Sequence, residues 1–238
     1  MSEILLQIDG REVKATEDMT ILNAARSVGI SIPTLCYHEA LTPYGACRLC
    51  IVEVISGERK KLAASCVYPV EQGLKVITNS PDLQKARKAT MEFLLARSPD
   101  SAYLRDKAKR EFGITAPRFV LAPEDRSDCI LCGLCVRACA EIVGVSAIDF
   151  VMRGIKSQVE PPFLKGSDVC IGCGTCVAMC PTGYIRVEHI ARIAAAHEFP
   201  KIGTESISEH AVKCRVCAAY HLGPAYPKDY NRLFASVE

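Results

Sequence analysis

The chain opens on an apolar run, ILLQI at residues 4–8, that reads as a strand. Asp9-Gly10 has the composition of a tight hairpin turn, and residues 12–15 read as the return strand. Thr20 is placed to cap a helix over 21–28, with Ile21, Leu22, Ala25 and Val28 on one face and Gly29 ending it. A cysteine-bearing loop spans 33–48. Residues 50–55 are strand-like, Gly57 turns the chain, 61–64 can pair back, and 74–77 read as a last strand. Strand–strand–helix–loop–strands is the order of a small β-grasp domain. A helix over 80–97 follows, capped by Ser80 with Pro81 in its first turn, and with Leu83, Ala86, Thr90, Phe93, Leu94 and Arg97 at helical spacing. The charged stretch 98–109 reads as a bridge between domains, and 129–180 as short cysteine loops around brief helices. The fold class is therefore α+β: an N-terminal β-grasp domain (1–79), a helical connector (80–122), a C-terminal ferredoxin-like domain (123–190) and a tail (191–238).

Composition narrows the function. The 238 residues are 49% hydrophobic and 24% charged, ordinary values for a globular protein. A net charge of +2 offers no electrostatic case for nucleic acid or an acidic membrane surface. No apolar run approaches the roughly 18 residues of a membrane span, and the N-terminus lacks the basic and apolar regions of a signal peptide. A cytoplasmic location is expected. Against that background the fourteen cysteines stand out. In a reducing compartment, cysteines two residues apart on a loop are better suited to metal than to disulfides.

Eight of them form an internal repeat. Cys129-IL-Cys132-GL-Cys135-VRA-Cys139 matches Cys170-IG-Cys173-GT-Cys176-VAM-Cys180 in every cysteine, in Gly133/Gly174 and in Val136/Val177. Duplicated C-x2-C-x2-C-x3-C is the signature of a bacterial ferredoxin with two [4Fe–4S] clusters, in which the fourth cysteine of each run ligates the other cluster. This assigns Cys129, Cys132, Cys135 and Cys180 to one cluster, and Cys170, Cys173, Cys176 and Cys139 to the second. Pro181 follows Cys180 as the signature expects, whereas Ala140 follows Cys139.

Cys36, Cys47, Cys50 and Cys66 form another set. A long loop brings in one thiolate, a C-x2-C pair supplies two, and a later strand returns the fourth, which suits a [2Fe–2S] cluster despite a first gap longer than the plant-type one. Gly45 and Ala46 are small enough for the backbone to approach the sulfides. The alternative, a four-cysteine zinc site, normally uses two C-x2-C knuckles, and this set contains one. His38 is close enough in sequence to ligate, but four cysteines already suffice. In the tail, His210, Cys214, Cys217 and His221 are candidates for an additional zinc or for a cluster shared with a partner, provided a turn brings them together. His189 and His197 read as surface residues of an Ala/Ile-rich stretch.

The segment from Cys36 to 54, the later Cys66, the helix with Glu92-Phe93-Leu94-Leu95, and CILCGLCVRACAE from Cys129 together resemble one modular set. They are similar to the N-terminal iron–sulfur region of the large peripheral-arm subunit of respiratory complex I, and to the diaphorase iron–sulfur subunit of NAD-reducing [NiFe] hydrogenases. Electron-bifurcating [FeFe] hydrogenases and NAD-linked formate dehydrogenases share the pattern in their N-terminal halves. The resemblance covers residues 1 to about 190. It departs at one place: that family carries a [4Fe–4S] site with one histidine and three cysteines between the modules, whereas Ser98 stands here at the histidine position. No cysteine occurs between Cys66 and Cys129, so that cluster is expected to be missing.

The sequence shows no G-x-G-x-x-G dinucleotide motif and no segment expected to form a hydrogenase or molybdopterin active site. The resemblance thus implies an electron relay. One partner is a flavin- and NAD(P)-binding iron–sulfur subunit, and the other a catalytic subunit, of hydrogenase type first and of formate dehydrogenase or bifurcating type as the alternative. A cluster-based redox sensor and a zinc-bound scaffold are readings from other classes; the former lacks a DNA-binding pattern or basic stripe.

Overall fold

The computed structural model describes residues 3–57 and 59–186. The chain divides into two compact units, Met1–Gly133 and Leu134–Glu238.

The first unit is built on a five-stranded sheet. Strands β1 (Glu3–Ile8) and β2 (Arg11–Thr16) form an antiparallel hairpin across Asp9-Gly10, both in the left-handed region at φ 50° and 79°. Such a turn matches the right-handed twist of the strands, and Asp and Gly are the residues that tolerate it. Helix α1 (Ile21–Ser27) follows, then β3 (Ile51–Ser56), β4 (Arg59–Ala64) and β5 (Lys75–Ile77). The strand order is β2-β1-β5-β3-β4, with β1 and β5 parallel and the other pairs antiparallel. This is the β-grasp arrangement expected from the element order.

The core lies between one sheet face and α1, where Leu6, Ile8, Val52, Val54 and Val76 meet Ile21, Leu22 and Ala25. Each fully buried Leu or Ile side chain contributes on the order of 1.5–3 kcal/mol. Thr20 Oγ1 accepts the Asn23 N–H at 3.3 Å, the expected cap. Val28 departs from expectation. It follows the last helical residue, at φ −107°, and is exposed, because the chain leaves the helix before Val28 reaches the buried face.

Helix α2 (Pro81–Arg97) shows how a buried face can hide from periodicity. Ser80 caps it as expected, its Oγ accepting the Leu83 N–H at 3.2 Å while its hydroxyl donates to Glu53 Oε1 at 2.6 Å. The stripe expected from apolar spacing is displaced, however. The buried positions are Leu83, Arg87, Met91, Glu92, Leu95 and Ala96, while Phe93 is exposed and stacks on Phe119 at a centroid distance of 4.3 Å. Two charged residues stand inside the buried stripe, so hydrophobicity alone points to the wrong face.

The charged stretch read as a plain bridge contains helix α3 (Ala102–Phe112). Ser101 caps it, and Gly113 ends it in the left-handed conformation at φ 63°. Leu104 and Ala108 are fully buried beneath a polar surface.

In the second unit, helix α4 (Leu134–Arg137) runs into a π-helical turn, Ala138–Val143. A short antiparallel pair follows, β6 (Asp149–Val151) with β7 (Gln158–Glu160), and then α5 (Thr175–Ala178). The two halves of the cysteine repeat enter their helices alike: Gly133 and Gly174 sit at φ 71° and 74°. A side chain there would be strained, which gives the shared glycine its physical reason. No helix among the described residues is long and apolar enough to cross a membrane.

Candidate metal centres

All twelve described cysteines are free thiols. In the first unit, the loop between α1 and β3 carries Cys36 and Cys47, the start of β3 follows Cys50, and the turn after β4 carries Cys66; all four are buried. They gather as two pairs. Cys50 Sγ and Cys66 Sγ lie 3.3 Å apart, and the Cys47 N–H donates to Cys36 Sγ at 3.3 Å. No three of the described His, Cys, Asp or Glu side chains converge as a site for a single ion.

Charge within the set is shared unequally. The Cys50 thiol is pulled down to about 6, chiefly by its hydrogen bond with Cys66 and against the effect of burial. Cys66 is pushed far up by that same shared proton, by burial and by the charge of its neighbours. Cys47 is pushed up first by its hydrogen bond with Cys36 and then by burial. In the Cys50/Cys66 pair one thiol is lowered and its partner raised, as two groups sharing a proton are.

Gly45 lies beside these thiols at φ 70°, and a Cβ there would meet both Val67 methyl groups at 3.3 Å. His38 Nδ1 accepts the Ala40 N–H at 3.2 Å, so that ring atom is used in shaping the loop.

The first run of the repeat is held from α2. Arg97 Nε donates to the Cys129 carbonyl at 2.7 Å, the Ser127 N–H donates to the Arg97 carbonyl at 2.8 Å, and the Cys129 N–H donates to Ser127 Oγ at 3.1 Å. Ser98 is fully buried and donates to the Asp128 carbonyl at 3.4 Å. The Leu131 N–H then points at Cys129 Sγ, 3.4 Å away. Cys129, Cys132 and Cys135 are all buried.

Helix α2 also reaches the other thiol set, through Arg87 Nη2, which donates to the Ile51 carbonyl at 2.6 Å. Ten residues of α-helix separate Arg87 from Arg97, a rise of about 15 Å. Tyr103, at the start of α3, is within electrostatic reach of both motifs. Its phenol is pushed up by burial first, then by Glu111, with negative charge at Cys132 and Cys47 adding to it.

In the second unit, Cys139, Cys170, Cys173 and Cys176 line one apolar cavity together with Val145 and Ile148. Cys139 Sγ accepts the Ala147 N–H at 3.2 Å, and Cys173 Sγ lies 3.3 Å from Thr175 Oγ1. The Cys139, Cys170 and Cys176 thiols are all pushed up, in each case by burial first and then by the neighbouring sulfurs. Cys180 is half-buried just beyond α5, 3.6 Å from Thr182 Oγ1. His189, His197, His210, Cys214, Cys217 and His221 lie outside the described residues.

Residues 1–81 match the family model of the 2Fe-2S iron–sulfur cluster binding domain, and 128–184 and 169–228 each match a 4Fe-4S dicluster domain model. The chain is 37% identical over 202 residues to the NADPH-Fe(3+) oxidoreductase subunit alpha of Geobacter sulfurreducens, covering 76% of this chain and 24% of that protein. It is 34% identical over 230 residues to the mitochondrial NADH-ubiquinone oxidoreductase 78 kDa subunit of Neurospora crassa, covering 87% of this chain and 30% of that protein. A chain in the crystal structure of an NAD+-reducing [NiFe]-hydrogenase in the H2-reduced state superposes with a TM-score of 0.59 at 31% identity, covering 68% of this chain and 76% of that one. The chain belongs to the family of the matched iron–sulfur chain of the NAD+-reducing [NiFe]-hydrogenase. It spans about a quarter to a third of the length of these curated relatives.

Set against its family, the chain has features around the thiols that its cysteine spacing did not announce. Arg87 and Glu53 read as ordinary polar positions of a helix and a strand, and the only sequence signal for Arg87 is its place on the stripe that Leu83, Met91 and Leu95 define. Ser80 is legible as a cap and Arg97 as a helix position, but their contacts to Glu53 and Cys129 are not.

Proposed function

We propose that this chain relays single electrons between a flavin- and NAD(P)-binding partner subunit and a catalytic partner, of hydrogenase type first. Formate dehydrogenase and electron-bifurcating complexes are the alternatives. The carrying observation is that thiols gather in each unit: the buried pairs Cys36/Cys47 and Cys50/Cys66 in the first, and in the second one cavity lined by buried Cys139 and half-buried Cys170, Cys173 and Cys176.

The donor chemistry suits iron–sulfur clusters. Every candidate ligand is a thiol, and sulfurs in each set accept backbone N–H groups, which favour the thiolate form. Cys36, Cys47, Cys50 and Cys66 would hold a [2Fe–2S] cluster, their two pairs corresponding to two irons. Cys129, Cys132, Cys135 and Cys180 would hold one [4Fe–4S] cluster, and Cys170, Cys173, Cys176 and Cys139 the other. When bound, such clusters supply reversible one-electron exchange at potentials set by hydrogen bonds to sulfur, net charge and burial.

The residues of the chain do the rest. The N–H groups of Cys47, Leu131 and Ala147 hold negative sulfur in place. Apolar walls at Val145 and Ile148 exclude water from one site. Helix α2, with Arg87 at one motif and Arg97 at the other, sets a rigid spacing between them. A cytoplasmic location and the domain limits 1–79, 80–122, 123–190 and 191–238 accompany this reading.

Protein isolated without oxygen should contain about ten irons and about ten sulfides per chain, from one two-iron and two four-iron clusters. Iron for only one cluster would overturn the relay. Mass spectrometry of the intact native assembly should find the flavin-bearing and catalytic partners, and the identity of the latter separates hydrogenase from formate dehydrogenase.

A further inference from the structure

Arg87 is a charge in an unusual place. It lies on the buried stripe of α2 between Leu83 and Met91 and is 7% exposed. Its Nη2 donates to the Ile51 carbonyl at 2.6 Å, one residue beyond Cys50. Its Nε has no hydrogen-bond partner, and no ion pair among the described residues includes it. Asp9 and Cys50 are the groups whose negative charge acts on it. The Asp9 carboxylate is held by Thr78, accepting its N–H at 2.7 Å and its hydroxyl at 2.5 Å, and acts on Arg87 through space without an ion pair.

A buried guanidinium without a countercharge is strongly disfavoured, and an apolar side chain of similar volume usually serves a helix–sheet contact as well or better. The Ile51 carbonyl satisfies one donor but no charge. Of the two negative groups that act on Arg87, the Cys50 side acts more strongly than Asp9, and it is the side to which the guanidinium is tied through the Ile51 carbonyl. Four thiolates, two sulfides and two ferric irons sum to a formal charge of about −2, which becomes about −3 on one-electron reduction.

We propose that Arg87 is the buried counter-cation of the [2Fe–2S] centre and raises its reduction potential by favouring the more negative, reduced state. The inference rests on the reading that Cys36, Cys47, Cys50 and Cys66 hold that cluster. A unit charge about 10 Å away at an effective dielectric constant of about 20 changes an equilibrium by roughly tenfold. For a one-electron couple, tenfold corresponds to about 59 mV.

The test is a redox titration of the full-length, cluster-loaded protein followed by the electron paramagnetic resonance of the reduced two-iron centre. Three variants are compared with the parent: R87M and R87Q, which remove the charge, and R87K, which keeps it. The expected result is a roughly tenfold lower reduced-to-oxidised ratio at the parent midpoint for R87M and R87Q. R87K should stay near the parent, and the [4Fe–4S] signals should not move in any variant. An unshifted two-iron midpoint in R87M or R87Q would overturn the proposal, as would an equal shift at every centre. So would loss of the two-iron centre from all three variants, since Arg87 would then be a structural strut whatever its charge. If the parent protein shows no two-iron signal, the ligand reading falls first and this inference with it, whereas a normal parent signal with unmoved variants defeats the inference alone.

Discussion

Replacing Arg97 by methionine should uncouple one cluster from the other two. Arg97 is half-buried near the end of α2, and its Nε–H donates to the Cys129 carbonyl at 2.7 Å. Methionine keeps most of the aliphatic stem and the helix propensity, so the change is confined to the guanidinium. A hydrogen bond from a charged donor is worth about 1.5–3 kcal/mol net. Losing it would make opening of the Cys129 loop roughly ten- to a hundredfold more frequent, since 1.4 kcal/mol is about a factor of ten. The neighbouring contacts, from the Ser127 N–H to the Arg97 carbonyl and from Ser98 to Asp128, involve atoms the substitution leaves in place. The loop should therefore loosen without unfolding. The assay is bleaching of cluster absorbance in the presence of an iron chelator, with residual iron counted by metal analysis and residual clusters by paramagnetic resonance. R97M should lose about four of its roughly ten irons first, with the two-iron signal intact, and R97K should lie between. Parent-like bleaching in R97M, or loss of the two-iron centre at the same rate, would refute the argument.

Other outcomes follow from particular contacts. Gly45→Val should abolish the [2Fe–2S] signal and remove about two irons while sparing the four-iron clusters, because φ 70° is strained for valine and Val67 already stands 3.3 Å from any Cβ. Ser80→Ala should destabilise the first unit by roughly 1–3 kcal/mol, measured by denaturant unfolding of the cluster-free protein, since it removes a helix cap and the hydroxyl that satisfies buried Glu53. Glu92 is buried, and Arg118 holds its carboxyl below the usual value of 4.5 through bonds of 2.6 to 3.0 Å. A depressed carboxylate contributes stability that is present above its unfolded pKa and lost as pH falls through its folded pKa. R118A should therefore lower the thermal midpoint at pH 7, and the gap from the parent should close below about pH 4. Cys139→Ala and Cys173→Ala should leave the same residual spectrum, because both sulfurs line one cavity. Different residual spectra would break the crossed assignment of the repeat.

The cysteine spacing, the internal repeat and the strand–turn–helix order were local properties, and they were enough to indicate a β-grasp domain, a ferredoxin-like repeat and the candidate ligands of each. Spacing alone carries this much because a short loop that must aim several sulfurs at one centre leaves few alternatives in backbone conformation. Gly133 and Gly174 illustrate it: the repeat is legible because the same left-handed turn must precede each helix. The face of α2 was not legible in this way. Its apolar periodicity pointed toward Phe93 and Leu94, yet the sheet and the neighbouring loops chose the stripe through Arg87 and Met91, because Ser80 and Glu53 lock the start of the helix onto β3. Helix α3 was hidden for a related reason, since Leu104 and Ala108 are too few to give a clear period, and the helix packs against α2. The pairing of Cys36 with Cys47 and of Cys50 with Cys66, the reach of Arg97 to Cys129, and the position of Arg87 beside Ile51 all join residues well separated along the chain. Such contacts depend on where the sheet places β3 and where α2 ends, so only the tertiary structure could decide them.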